Sequence, residues 1–255
     1  MNSIAINGIN LAYNRRGKGT PLMLVHGFPL DSTSWNETVP LLENTFDVIQ
    51  PDLRGFGKST TVETQYTVSD MADDLVGLLD HLGIEKTALA GHSMGGYIAL
   101  ALAKKYPQRV SALGLISSQA AADSAERKEG RYKTAADVAE KGVGVVVESM
   151  TPKLSADTRV QAFVHDLMGQ QSKPAMIGAL KAMAEREDYF SFLSQATCPI
   201  VLVHGSADAL IPIDRAKEIK AAVPSARFVE LQGAGHMPMM ELAKETAKAL
   251  QLLVV

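Results

Sequence analysis

Apolar and polar residues alternate through Ile4-Ala5-Ile6 and again from Ile9 to Tyr13, on either side of Asn7-Gly8. Alternation with period two marks a half-buried strand, and Asn-Gly suits the positive φ angles of a tight hairpin, so the N-terminus reads as two antiparallel strands. The pattern then changes. Pro21-Leu22-Met23-Leu24-Val25 is continuously apolar, as expected of a strand covered on both faces, and comparable runs recur at 46–50, 87–90, 110–116, 199–203 and 227–231. Helical patterns separate these runs. The clearest begins after Thr67, a cap with Asp70 three positions on, and places Met71, Leu75, Leu78, Leu79 and Leu82 at helical spacing before Gly83.

Strands alternating with helices predict a mostly parallel sheet with helical crossovers, here of eight strands including the hairpin. The stretch 119–195 breaks the alternation: its segments suit helices and contain no convincing strand. It reads as a helical cap inserted over the carboxyl edge of the sheet, within one domain spanning 1–255.

Composition narrows the class. With 255 residues, 46% hydrophobic and 21% charged, the chain can bury a large core, and a net charge of -3 supplies no basic stripe for nucleic acid. Small neutral substrates fit that balance. The single cysteine, Cys198, excludes an intramolecular disulfide framework and paired-cysteine zinc sites. No basic leader precedes the first strand and no apolar run approaches the roughly 18 residues of a membrane span, so a cytoplasmic protein is expected.

The strongest chemical signal is Gly91-His92-Ser93-Met94-Gly95-Gly96, between an apolar strand and a helix carrying Ile98, Leu100, Ala101 and Leu102. A serine flanked by glycines at a strand-to-helix turn can be held in a strained, projecting conformation, and the turn aims the Met94 amide at developing oxyanion charge. Ser93 needs a base. Of six histidines, only His236 follows the last predicted strand, in Gly233-Ala234-Gly235-His236-Met237-Pro238. His26 and His204 end strands and read as loop-shaping residues; His81 lies on a helix, His92 in the elbow and His165 in the cap.

The orienting acid should follow a strand and precede the histidine, which selects Asp208 in Gly205-Ser206-Ala207-Asp208; Asp123, after the preceding strand, is the competitor. A second oxyanion donor is expected in His26-Gly27-Phe28-Pro29, and Phe28 is chosen because Pro29 has no amide hydrogen. Asp52 and Arg54, in Asp52-Leu53-Arg54-Gly55-Phe56-Gly57-Lys58-Ser59, read as loop braces. Nothing has metal-ligand spacing or a dinucleotide fingerprint, so neither metal nor cofactor is expected.

Together, His-Gly-Phe-Pro at 26–29, Pro-Asp-Leu-Arg-Gly-Phe-Gly-Lys-Ser at 51–59, Gly-His-Ser-Met-Gly-Gly at 91–96, Gly-Ser-Ala-Asp at 205–208 and Gly-Ala-Gly-His at 233–236 resemble the α/β-hydrolase superfamily. Within it the chain is similar to small bacterial carboxylesterases and 3-oxoadipate enol-lactonase-like hydrolases. The resemblance implies the α/β-hydrolase fold and Ser93, Asp208 and His236 as a catalytic triad. Serine at 93 argues against dehalogenases and epoxide hydrolases, which attack with aspartate. The implied activity is hydrolysis of short-chain carboxylic esters; enol-lactonase-type lactone hydrolysis, cofactor-free haloperoxidase or perhydrolase activity and a slow-turnover receptor are the alternatives.

The expected partner is a small-molecule ester or lactone, with no nucleic acid or membrane, and a homo-oligomer is left open. Substrate choice falls to the cap, where Met150, Met168, Met176 and Met183 could line an acyl pocket or simply pack helices, and Val147 is a further candidate wall.

Overall fold

The computed structural model describes residues 1–254. The hairpin forms as β1 (Asn2–Ile6) and β2 (Ile9–Gly17), turning on Asn7 at φ 46° and Gly8 at φ 79°. Six more strands follow: β3 (Thr20–Val25), β4 (Phe46–Pro51), β5 (Thr87–His92), β6 (Val110–Ile116), β7 (Ile200–Gly205) and β8 (Arg227–Leu231). They make one eight-stranded sheet in the order β1-β2-β4-β3-β5-β6-β7-β8, antiparallel only where β2 meets β1 and β4. The α/β-hydrolase fold expected from the sequence is the fold found.

The continuously apolar runs serve two cores. Leu22 and Leu24 of β3, with Val48, Ala88, Ala90 and Val201, face one layer; Met23 and Val25, with Ile49, Leu89 and Leu202, face the other. Because successive side chains on a strand point to opposite faces, a strand buried on both sides cannot alternate with polar residues.

Helix α1 (Val68–His81) carries a complete capping box, the Thr67 side chain accepting from the Asp70 amide while Asp70 accepts from the Thr67 amide. Helix α2 (Met94–Lys105) leaves β5 and is buried along nearly its whole length. Between β6 and β7 the chain forms five helices and no strand: α3 (Ala125–Lys141), α4 (Gly144–Leu154), α5 (Thr158–Gly169), α6 (Lys173–Ala184) and the single turn α7 (Phe190–Leu193). Of these, α3 packs on α6 and α4 on α5. Helices α8 (Asp214–Ala222), α9 (Pro238–Glu241) and α10 (Ala243–Leu250) complete the chain. Among the described residues no helix is long and apolar enough to cross a membrane.

Candidate active site

Ser93 sits between the end of β5 and the start of α2 at φ 51°, ψ −114°, a region that L-residues other than glycine avoid. Such backbone costs on the order of 1–3 kcal/mol and persists only where surroundings over-determine it. Here they do: the Ser93 amide donates to Ile116 O at 2.9 Å, and the Ser93 carbonyl accepts from Ser118 Oγ at 2.8 Å and the Gly96 amide at 2.9 Å. The flanking glycines are required by contact. A Cβ on Gly91 would stand 2.1 Å from Gly95 O, and one on Gly95 would stand 2.4 Å from Val25 O.

Asp208, in the loop after β7, is fixed by backbone. Its Oδ1 accepts from the Leu210 and Ile211 amides, each at 2.9 Å. Its Oδ2 lies 2.8 Å from His236 Nδ1 and 3.3 Å from His204 Nε2. Burial alone would raise this carboxyl's pKa, but the His236 charge and the hydrogen bonds from His204, His236 and the Ile211 amide outweigh it and hold Asp208 well below the usual carboxylate range.

His236 is pinned from three directions. Its amide donates to Leu154 O at 3.0 Å, its carbonyl accepts from His92 Nε2 at 2.8 Å, and Glu241 accepts from the Gly235 and Met237 amides on either side. The tautomers follow from these partners. Since a carboxylate only accepts, His236 Nδ1 donates to Asp208; Nε2 is buried and has no partner among the described residues. No Ser93–His236 hydrogen bond is formed, although the His92 and His236 rings are 4.8 Å apart. Such bonds are commonly long before substrate arrives. His92 donates from Nε2 to the His236 carbonyl, and burial and the neighbouring His236 hold its pKa well below the ordinary histidine value.

Phe28 follows β3 and Met94 opens α2, and neither amide has a hydrogen-bond acceptor among the described residues, which leaves both free to donate. A cavity of about 310 Å³ reaches Ser93 and Phe28; α3, α4 and α6 of the insertion supply most of its wall, through residues such as Val146, Met150, Leu180 and Met183. Two of the four candidate methionines thus line it. Met168 and Met176 are fully buried in the cores, the helix-packing alternative; Val147, unlike Val146, also packs in the core, so its expected place in the pocket wall is corrected.

Other residues fall where chemistry puts them. Asp123 is fully buried against Arg131 and Arg186 and does not approach His236. Asp52 accepts from the Ser32 and Lys58 amides, Arg54 forms a bidentate pair with Asp74, and His26 accepts from the Leu53 amide through Nε2. His165 is half-exposed, with Asp166 and Glu148 each 3.5 Å away. Chain order gave no sign of the braces Glu241, Leu154 and His92. His204 reads from sequence as loop-shaping, with no sign that it meets Asp208. Among the described residues no group of three or more His, Cys, Asp or Glu side chains is arranged to hold a metal ion.

A model of the alpha/beta hydrolase fold family matches residues 20–242. The chain belongs to that family. It is 35% identical over 237 residues to the dihydrolipoyllysine-residue acetyltransferase component of the acetoin cleaving system of Pseudomonas putida, covering 89% of this chain but only 61% of that protein. Among solved structures it resembles a thermophilic esterase from Thermogutta terrifontis, solved with malate bound, at 37% identity and a TM-score of 0.93 over 98% of this chain and 95% of the other. The enol-lactonase of Burkholderia xenovorans LB400 shares the fold at 24% identity, with a TM-score of 0.91 over 99% of each chain. The chain thus has the α/β-hydrolase fold and resembles a small bacterial esterase and, in fold, an enol-lactonase.

Proposed function

We propose that this hydrolase is a serine carboxylesterase for small esters, with Ser93 as nucleophile, His236 as base and Asp208 as orienting acid. The observation that carries the reading is the His236 ring: Nδ1 is held by Asp208 at 2.8 Å, Nε2 is buried and unpartnered, and the ring lies 4.8 Å from that of His92, the residue that precedes the strained Ser93. Ser93 Oγ attacks the ester carbonyl carbon as His236 Nε2 takes its proton. The Phe28 and Met94 amides donate to the oxyanion. Collapse re-forms the carbonyl and breaks the bond from the acyl carbon to the alkoxy oxygen, and the imidazolium gives its proton to the departing alcohol. Water, deprotonated by the same nitrogen, then releases the acid and restores Ser93. The helices between β6 and β7 act as a cap that selects the acyl group, since they form the cavity wall above the serine.

The test pairs kinetics with labelling. Ser93→Ala should lower kcat on p-nitrophenyl butyrate by about 10⁶ and abolish fluorophosphonate labelling, with circular dichroism unchanged. Wild-type protein should turn over many substrate equivalents, which separates an enzyme from a slow receptor. Retained activity and labelling in Ser93→Ala would sink the assignment.

A further inference from the structure

We propose that the cavity above Ser93 recognises a carboxylate on the acyl chain of its substrate through Arg127 and Arg131. This rests on the esterase reading and gives it a substrate class. The whole chain carries a net charge of -3, but the cavity does not share that sign. Arg127, Gly130, Arg131 and Thr134 of α3 all line it, at the i, i+3, i+4, i+7 spacing that puts residues on one face of a helix. None of the residues lining the cavity is acidic.

The cation count around the wall exceeds the anion count. Asp123 is the carboxylate that meets the arginines, and it is shared: Arg131 Nε donates to it, Arg186 Nη2 is 2.9 Å away, and Arg127 Nε stands at 3.8 Å, beyond hydrogen-bond range. Arg186 is spent on structure, donating to the Met183 and Ala121 carbonyls at 2.9 Å and lying 4.2 Å from the centre of the Tyr97 ring. Beyond Asp123, Arg131 finds the Met183 sulfur at 3.5 Å, a weak acceptor. The Arg127 guanidinium has no hydrogen-bonded partner among the described residues.

Between the two arginines Gly130 contributes no side chain, and a Cβ there would meet nothing within 4 Å, so the space they face is open. The part of the wall that Val146, Leu180 and Met183 supply is apolar. Low-dielectric walls strengthen a field that one buried carboxylate does not cancel, and guanidinium forks match carboxylates in geometry. A neutral acyl chain would use the apolar wall and leave the arginines idle. An acyl chain ending in carboxylate uses both.

The experiment compares mono-p-nitrophenyl glutarate with p-nitrophenyl valerate, which differ in having carboxylate or methyl at the chain end. Wild-type kcat/KM should favour the glutarate, and the glutarate-to-valerate ratio should fall at least about tenfold in Arg127→Gln and less in Arg127→Lys; a ratio cancels losses common to both esters. Arg127 carries the test because Arg131→Gln would break the Asp123 pair and endanger folding. Independently of turnover, calorimetry should detect glutarate binding to Ser93→Ala protein and lose it when Arg127→Gln is added. A ratio unmoved by Arg127→Gln, or glutarate bound no better than valerate, would overturn the proposal. Arginine-dependent glutarate binding with neither ester hydrolysed would uphold the carboxylate site and overturn the esterase reading instead.

Discussion

Asp123 and Asp208 occupy loops that follow adjacent parallel strands, β6 and β7, and neither side chain has exposed surface. Burial pushes the pKa of both upward. In both, neighbours win and hold the carboxyl below its ordinary range: Arg186 and Arg131 at Asp123; the His236 charge with hydrogen bonds from His204, His236 and the Ile211 amide at Asp208. The difference lies in what the partners can do next. A guanidinium stays charged at any working pH, so Asp123 can only anchor; an imidazole exchanges its proton near neutrality, so Asp208 can steer a base. One loop anchors the arginines of the cavity wall; in the proposed mechanism the other serves proton transfer.

The largest expected effect tests that division directly. Asp208→Asn should lower kcat on p-nitrophenyl butyrate by about 10⁴ with KM changed only severalfold, because an amide no longer holds His236 in the tautomer that leaves Nε2 free. A larger kcat loss in Asp123→Asn would move the orienting acid to the loop after β6.

Asp123→Asn should instead cost stability, about 3–5 kcal/mol in urea unfolding, as when one partner of a buried ion pair is removed and the arginines stay. Its acid limb should flatten as well. A carboxyl with a depressed folded-state pKa contributes stability that is complete above its unfolded value near 3.9 and drains as pH falls through the folded value. Unfolding midpoints at pH 5 and pH 2.5 should therefore lie closer together in the variant than in wild type; unchanged spacing would mean that Asp123 is not paired as a carboxylate.

Both loops were equally visible in the sequence, since each acid follows an apolar strand; the partners were not. Arg131 and Arg186 lie on or beside helices of an insertion whose periodicity is weak: in α3 only Ala135 and Val138 are buried. Strands covered on both faces announce themselves as apolar runs, yet β5 and β7 continue through Gly91-His92 and His204-Gly205, where ladder pairing persists beyond the apolar stretch. Chain order was enough to pair Asp208 with His236. It could not show that Leu154 of the insertion holds the His236 amide, because that contact depends on how the insertion folds back.

On the cavity side, Met150→Ala should change discrimination between acyl chains differing by a methylene or two by about 10- to 200-fold, the 1–3 kcal/mol typical of such pockets, while fluorophosphonate labelling of Ser93 persists. Val147→Ala is the control. Val147 packs in the core and does not line the cavity, so its loss should lower stability and leave the chain-length profile in place. A shifted profile in Val147→Ala alone would relocate the wall.

The smallest effect is expected at His204, on the proton-transfer side. Its Nε2 donates to Ile211 O at 2.8 Å, and since a carbonyl only accepts, that nitrogen carries the proton and also points a donor toward Asp208 Oδ2 at 3.3 Å. The same oxygen receives His236 Nδ1. His204 therefore ties the Ile211 turn, whose amide holds Oδ1, to the oxygen that steers the base. Replacing it with phenylalanine keeps a ring in the buried site and deletes both contacts, so Asp208 should swing more freely and stabilise the imidazolium less well. The expected loss is about tenfold in kcat, the kinetic equivalent of about 1.4 kcal/mol, with little change in KM or in acyl-chain preference. His204→Gln, which can still donate, should recover part of it. A change in chain preference without a fall in kcat would place His204 with the cavity wall, and the division between the two loops would no longer hold.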